Sequence, residues 1–292
     1  MDGSAQTRAR RARTLRGLVD LGSQMGAWLD TRRAADSRRQ HASQLRALDT
    51  LLVGAVGTLT QAAGVSGEGT GGDSAGTLGE AFARCADLDK RGDWLRRVWR
   101  AYASKLDQRS DPAVASVLAA ADELVWSAWR PLYEALPDLR WYPPPLPFLH
   151  DRYAPQAWPV LDVPPGLDRG AGPLSEVLRE FPIPLVGVPR AVISEPWWLA
   201  LCAHEVGHHV QFALAEGGAM VAGFRTRLAE AATAAGADAA RWGAWSQEVF
   251  ADVFSVASLG PWAGFAVAEY DLGPAAFVTR RRTRYPSPAV RL

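Results

Sequence analysis

Cysteine is nearly absent from this 292-residue chain: Cys85 and Cys202 are the whole complement. Two thiols make no disulfide framework, which suits a reducing cytoplasm. An excess of one charge is also missing, since 32 basic side chains face 31 acidic ones. That balance gives no basis for a nucleic-acid or strongly acidic partner. Long hydrophobic runs are lacking too. The basic start is not followed by the apolar stretch of a signal peptide. Segment 253–268 is apolar, but Gly260-Pro261 and Gly264 interrupt it and it is too short to span a bilayer. No internal repeat at solenoid periods is present. What remains is a chain long enough to bury a substantial core, as one large domain or two small ones.

Histidine is scarce as well, with five in all, and three of them fall between positions 204 and 209. His204-Glu205-Val206-Gly207-His208 spells H-E-x-x-H. On an α-helix, residues four apart lie about 40° apart around the axis, so both imidazoles reach one metal ion. Glu205 falls roughly 80° from the middle of the pair, beside the position a bound water would take. That residue set fits zinc-dependent hydrolysis with Glu205 as the base, so a metallopeptidase is the leading expectation. The surrounding sequence reads as a helix opening at Ser194-Glu195-Pro196 and apolar on nearly every face. Two histidines and a glutamate are costly in such a helix unless a metal satisfies them.

A hydrolytic zinc site takes a third protein ligand and keeps the fourth position for water. Glu248, on a second apolar helix expected from about 239 to 259, is the best candidate. Asp252 lies one turn later on the same face, where it can accept the free N–H of a ligand histidine. Gly260-Pro261 ends that helix. Cys202, about 200° around from His204, should point away from the metal into the core. His209 either lines the cleft or packs behind it, and His41 and His150 stand outside the site.

HEVGH followed by Glu248-Val249-Phe250-Ala251-Asp252 resembles the gluzincin metallopeptidases, whose second helix reads E-x-x-A/S-D. The resemblance covers roughly residues 183–292. It implies that His204, His208 and Glu248 bind one Zn²⁺ per chain, that Glu205 is the general base, and that Asp252 supports a ligand histidine. The subgroup of CAAX-processing and heat-shock membrane peptidases adds a downstream His-Pro segment followed by an arginine. Arg284-Tyr285-Pro286 through Arg291 is similar in placement, with tyrosine where the histidine would be. Tyr285, Tyr270 and Arg291 are the candidates for stabilising an oxyanion. Unlike those membrane peptidases, this chain reads as soluble and cytoplasmic.

Upstream, residues 181–193 read as a short strand whose prolines suit an edge. Such an edge either holds an extended peptide by β-augmentation or merely covers the core. Residues 141–172, rich in proline and glycine, read as an irregular connector. Residues 8–62 suit one or two amphipathic helices. Their basic run from Arg8 to Arg16 reads as a solvated, frayed helix end rather than a site for nucleic acid or lipid. Positions 65–79 form a Gly/Ser/Thr-rich loop without the ending of a phosphate-binding loop. Helices are expected at 80–110 and 112–136, the second capped by Asp111-Pro112, with Trp94, Trp99, Trp126 and Trp129 in the core.

The fold expected is mainly α (α+β): zincin-like catalytic helices, a small edge-stranded sheet and an N-terminal helical region. The divisions are a helical region at 1–136, a connector at 137–182 and a metallopeptidase core at 183–292. The partner expected is a peptide or protein substrate, with a further protein contact through the helical region and no nucleic acid or membrane span. The alternative is a non-catalytic zinc-containing or metal-free helical interaction protein.

Overall fold

The computed structural model describes residues 3–65, 78–136, 143–158, 183–214, 219–280, 282–283 and 285–291. They are mainly helical, with one three-stranded sheet, and fall into two compact units, one through Ser104 and one from Lys105 onward.

The first unit contains α1 (Gly3–Ala35), α2 (Ala42–Leu48), a π-helical turn at Asp49–Val53, α3 (Gly54–Val65) and nearly all of α4 (Leu78–Leu106). Leu18, Leu21, Met25 and Leu29 recur at helical spacing on α1 and are buried. The basic run is not a frayed end. Arg10 pairs with Asp89 of α4, and Arg11 donates to the carbonyls of Ala63 (2.7 Å) and Gly64 at the end of α3. Carbonyls in the last turn of a helix attract cations, which is why an arginine settles there. Most of the glycine-rich loop, 66–77, lies outside the described residues.

The second unit opens with a 3-10 turn, Asp107–Ser110, and then α5 (Ala115–Ala135). Asp111 does not cap α5 directly. Its carboxylate accepts from Ala113 N at 3.0 Å, forming a turn that delays the helix to Ala115. Leu118, Ala121, Val125, Ala128 and Trp129 form the buried stripe of α5. Among the four tryptophans expected in the core, Trp94 and Trp129 are buried and Trp99 is half-buried. Trp126 is 37% exposed, because it turns about 100° away from Val125 on the helix. α5 shares one core with β3 (Leu185–Pro189) and α6 (Leu201–Ala213). For that reason the division falls at Ser104/Lys105 rather than at 136.

The sheet corrects the reading of 181–193. Its order is β1 (Leu146–His150), β3, β2 (Gln156–Trp158), with β1 parallel and β2 antiparallel to β3. β3 is therefore central. Prolines are tolerated because Pro184 precedes the strand and Pro189 closes it. Among the described residues β2 is the edge strand that lines a cleft with His204 and Glu205, and together with β1 it lies in the stretch read as irregular connector. A Cβ on Gly187 would come within 2.7 Å of the His150 ring and 3.2 Å of Trp158, so only glycine passes between these flanking side chains.

Pro196 starts a 3-10 turn (Pro196–Ala200), and the α-helix proper begins at Leu201, five residues after the proline. α7 (Ala219–Ala234) packs on α8 (Ala239–Leu259), whose limits match the sequence expectation. Asp238 caps α8 by accepting from Arg241 N at 3.2 Å. Gly260, at φ 62°, ends α8, and Pro261 starts α9 (Pro261–Tyr270). Short helices α10 (Ala275–Val278) and α11 (Pro288–Arg291) complete the chain. Among the described residues no helix is long and apolar enough to cross a membrane.

Candidate metal centre

α6 and α8 run side by side in opposite directions. They pack tightly at Gly207, where an added Cβ would lie 2.9 Å from the Ala251 Cα. The glycine inside H-E-V-G-H is thus a packing requirement: it lets the two helices come close enough for their polar residues to meet.

Those residues converge as the spacing predicts. His204, His208 and Glu248 each present a ligand atom, all within 4.8 Å of one another. Glu248 Oε2 lies 3.3 Å from His204 Nε2, and Oε1 lies 3.8 Å from His208 Nε2. Glu248 Oε2 is nevertheless buried without a hydrogen-bond partner. Two imidazoles and a carboxylate so placed could hold a metal ion. Their donor set, two nitrogens and a carboxylate oxygen, fits the ligand chemistry of zinc.

Asp252 sits one turn along α8, its Oδ1 2.9 Å from His204 Nδ1. Arg291 holds the same carboxylate through two bonds of 2.7 Å, from Nε to Oδ2 and from Nη2 to Oδ1. Its Nη1 reaches Asp271 Oδ2 at 3.3 Å, and Arg282 donates to Asp271 Oδ1 at 3.0 Å. Asp271 is only 2% exposed. The buried Asp271 and the partly buried Asp252 are thereby balanced by two arginines.

The electrostatics follow from this packing. Burial pulls His204 down, but the Asp252 and Glu248 carboxylates outweigh it and hold the imidazole up at about 9. Burial and the neighbouring His204 lower His208 to about 4. Burial acts against ionisation of Asp252, yet hydrogen bonds from His204 and Arg291 bring it down to about 2. Glu205 is raised to about 7, chiefly by burial, with Glu248 adding to the rise and His204, Arg291 and a backbone hydrogen bond from Ala157 opposing it.

A cleft of about 530 Å³ opens onto this group. Its walls include His204, Glu205 and His208, β2, and Tyr270 and Tyr285. Of the three oxyanion candidates, Arg291 is committed to its two aspartates. Tyr270 and Tyr285 remain on the cleft wall, both phenols pushed up by burial and then by carboxylates, Asp271 for Tyr270 and Glu248 for Tyr285.

The other singled-out residues lie outside this group. His209 Nε2 bonds the Leu185 carbonyl at 2.9 Å and locks α6 to β3, a packing role. Cys202 is free and buried in the core, its thiol pushed up by burial. His41 pairs with Asp36 in the first unit, and His150 ends β1. Sequence reasoning missed Asp271, Arg282 and the backbone of Ala157. Asp271 and Arg282 belong to no motif, and β2 is only three residues long.

No protein-family model, curated protein or solved structure matches the chain.

Proposed function

We propose that the chain is a zinc-dependent metalloendopeptidase. The observation that carries this reading is the convergence of His204, His208 and Glu248 within 4.8 Å of one another, with Glu205 on the wall of the same open cleft. A purely structural zinc site would close its coordination with a fourth protein ligand, and this group offers three. His204, His208 and Glu248 would hold the metal. When bound, zinc lowers the pKa of a water towards neutrality and polarises a carbonyl as a Lewis acid.

Glu205 takes the proton from the attacking water and passes it to the leaving nitrogen. Burial pushes the Glu205 carboxyl up, to about 7 before any metal binds, which favours its uptake of a proton from water. The Ala157 N–H fixes that carboxylate from β2. Among the described residues β2 pairs with β3 on one side only, and it borders the cleft. An extended peptide laid along β2 by β-augmentation would present a carbonyl to the metal-binding residues. Tyr285 or Tyr270 donates to the oxyanion as it forms. Asp252, clamped by Arg291, orients His204 through Nδ1 and leaves Nε2 for the metal.

The test is cleavage of a diverse peptide pool by zinc-loaded protein, with products mapped by mass spectrometry. Internal cleavage that stops on chelation and returns with zinc supports the reading. No cleavage by fully zinc-loaded protein rejects it.

A further inference from the structure

The apolar segment 253–268 takes no part in the cleft chemistry. It contains no charged residue and forms the end of α8 and most of α9. Its inner side is buried at Ser255, Ala263, Ala266 and Val267. On its outer side Val253, Val256, Trp262 and Phe265 are exposed by 63, 48, 71 and 46%. A helix that faces water normally carries a polar outer stripe, whereas α9 has a single charged residue, Glu269. The Trp262 and Phe265 rings meet edge to face at 6.1 Å, so they form a joint apolar surface. Leu272 and Phe277, exposed by 74 and 40%, continue the pattern in the chain that follows. Isolated exposed apolar residues are ordinary, but a succession of this kind marks an interaction surface.

Charge says what covers it. Two residues after Phe277 the sequence runs Thr279-Arg280-Arg281-Arg282-Thr283-Arg284. The acids from 253 onward are Glu269 and Asp271, and Asp271 is buried between Arg282 and Arg291. Arg282 also lies over the Phe277 ring at 4.7 Å, so cationic and apolar groups are interleaved. Exposed tryptophan and phenylalanine flanked by arginine is the chemistry of a bilayer interface with anionic headgroups. The ten-residue α9 is about 15 Å long, half the thickness of the hydrocarbon core, so it can lie on a bilayer but not cross one.

We propose that the surface formed by the end of α8, α9 and the chain through Arg280 docks the protein on an anionic lipid bilayer. Trp262 and Phe265 enter the boundary between headgroups and acyl chains, and Arg280 lies among the headgroups. α9 is fixed to the metal-binding unit by Ala266 and Val267 in its core, and its last residue, Tyr270, is on the cleft wall. Docking therefore brings the cleft close to the lipid surface. This inference is independent of the peptidase reading and holds whether or not the cleft cleaves peptides.

The experiment is flotation of the full chain with vesicles of phosphatidylcholine alone, and of phosphatidylcholine with roughly a third phosphatidylglycerol. The protein should float with the anionic vesicles and several-fold less with the neutral ones, and added salt should weaken the association. The paired substitution Trp262→Ser, Phe265→Ser should abolish flotation, and Arg280→Glu should weaken it at least about fivefold. Both variants alter exposed side chains, and circular dichroism checks that they fold. Failure of the wild-type chain to float with either vesicle overturns the proposal without recourse to any variant. Equal flotation with both vesicles overturns it too, as does a Trp262-dependent dimer that forms without lipid.

Discussion

Arg291 grips Asp252 through two parallel bonds of 2.7 Å, and Asp252 in turn holds the Nδ1 of His204 at 2.9 Å. A residue of the final short helix thus fixes the ring of a candidate metal ligand through one intermediary. The pair is well buried, with the Arg291 side chain 6% exposed, so its charges are screened little by solvent.

Removing either member should have different effects. Asp252→Asn keeps the packing but loses the charged acceptor for His204, and zinc affinity should fall about 10- to 100-fold. Arg291→Ala leaves Asp252 and Asp271 without their shared cation and should cost about 3–5 kcal/mol of stability. Competition with a fluorescent zinc chelator measures the first and denaturant unfolding the second. An Arg291→Ala protein as stable as wild type would remove the clamp from the account.

Glu205→Gln should bind zinc as tightly as wild type while peptide cleavage falls by about 10²–10⁴. The amide retains the shape but has no proton affinity to lend. Metal analysis and kinetics on the same preparation separate the two effects, and a fully active variant would put the base elsewhere.

Zinc uptake should depend on pH in a definite direction. Without metal, His204 is held at about 9, so below that pH it carries a proton on each ring nitrogen. A metal on Nε2 must displace one of them. Affinity should therefore rise with pH, roughly tenfold per unit between about pH 6 and 8, with one proton released per metal bound. His208, at about 4, is already neutral there and adds nothing to the slope. Calorimetry in buffers of differing ionisation enthalpy counts the proton, and a pH-independent affinity would contradict the assigned His204 environment.

Gly207→Ala should loosen the site without touching a ligand. The new methyl would sit 2.9 Å from the Ala251 Cα, a backbone atom that moves only if α6 and α8 separate. A cost of about 1–3 kcal/mol is expected, together with weaker zinc binding. Because the obstacle is backbone, Ala251→Gly should not restore wild-type affinity.

The parts of this molecule legible from sequence are those written in local periodicity. α8 could be bounded to its observed ends, because Asp238 offers a cap and Gly260-Pro261 a stop within a strongly periodic segment. His204, His208 and Glu248 were legible as a group because helical spacing constrains where their side chains project. The prolines around β3 suggest an edge strand, and they mislead because they fall at the strand's ends. β2 was lost in a proline-rich stretch, since three residues carry no alternation to detect. The Arg282–Asp271–Arg291 chain had no local signature at all: its members come together only when α9 and the tail pack against α8. Trp126 shows the reverse error, in which a large aromatic residue was assigned to the core although its helix face turns outward.

The central claim is that His204, His208 and Glu248 form one zinc site. The most direct test is zinc per chain in purified wild-type protein, measured beside Glu248→Ala. The account predicts one zinc in the wild type, lost or strongly weakened in the variant. A wild-type chain that takes up no zinc even when it is supplied, or a variant that holds it equally well, would contradict it.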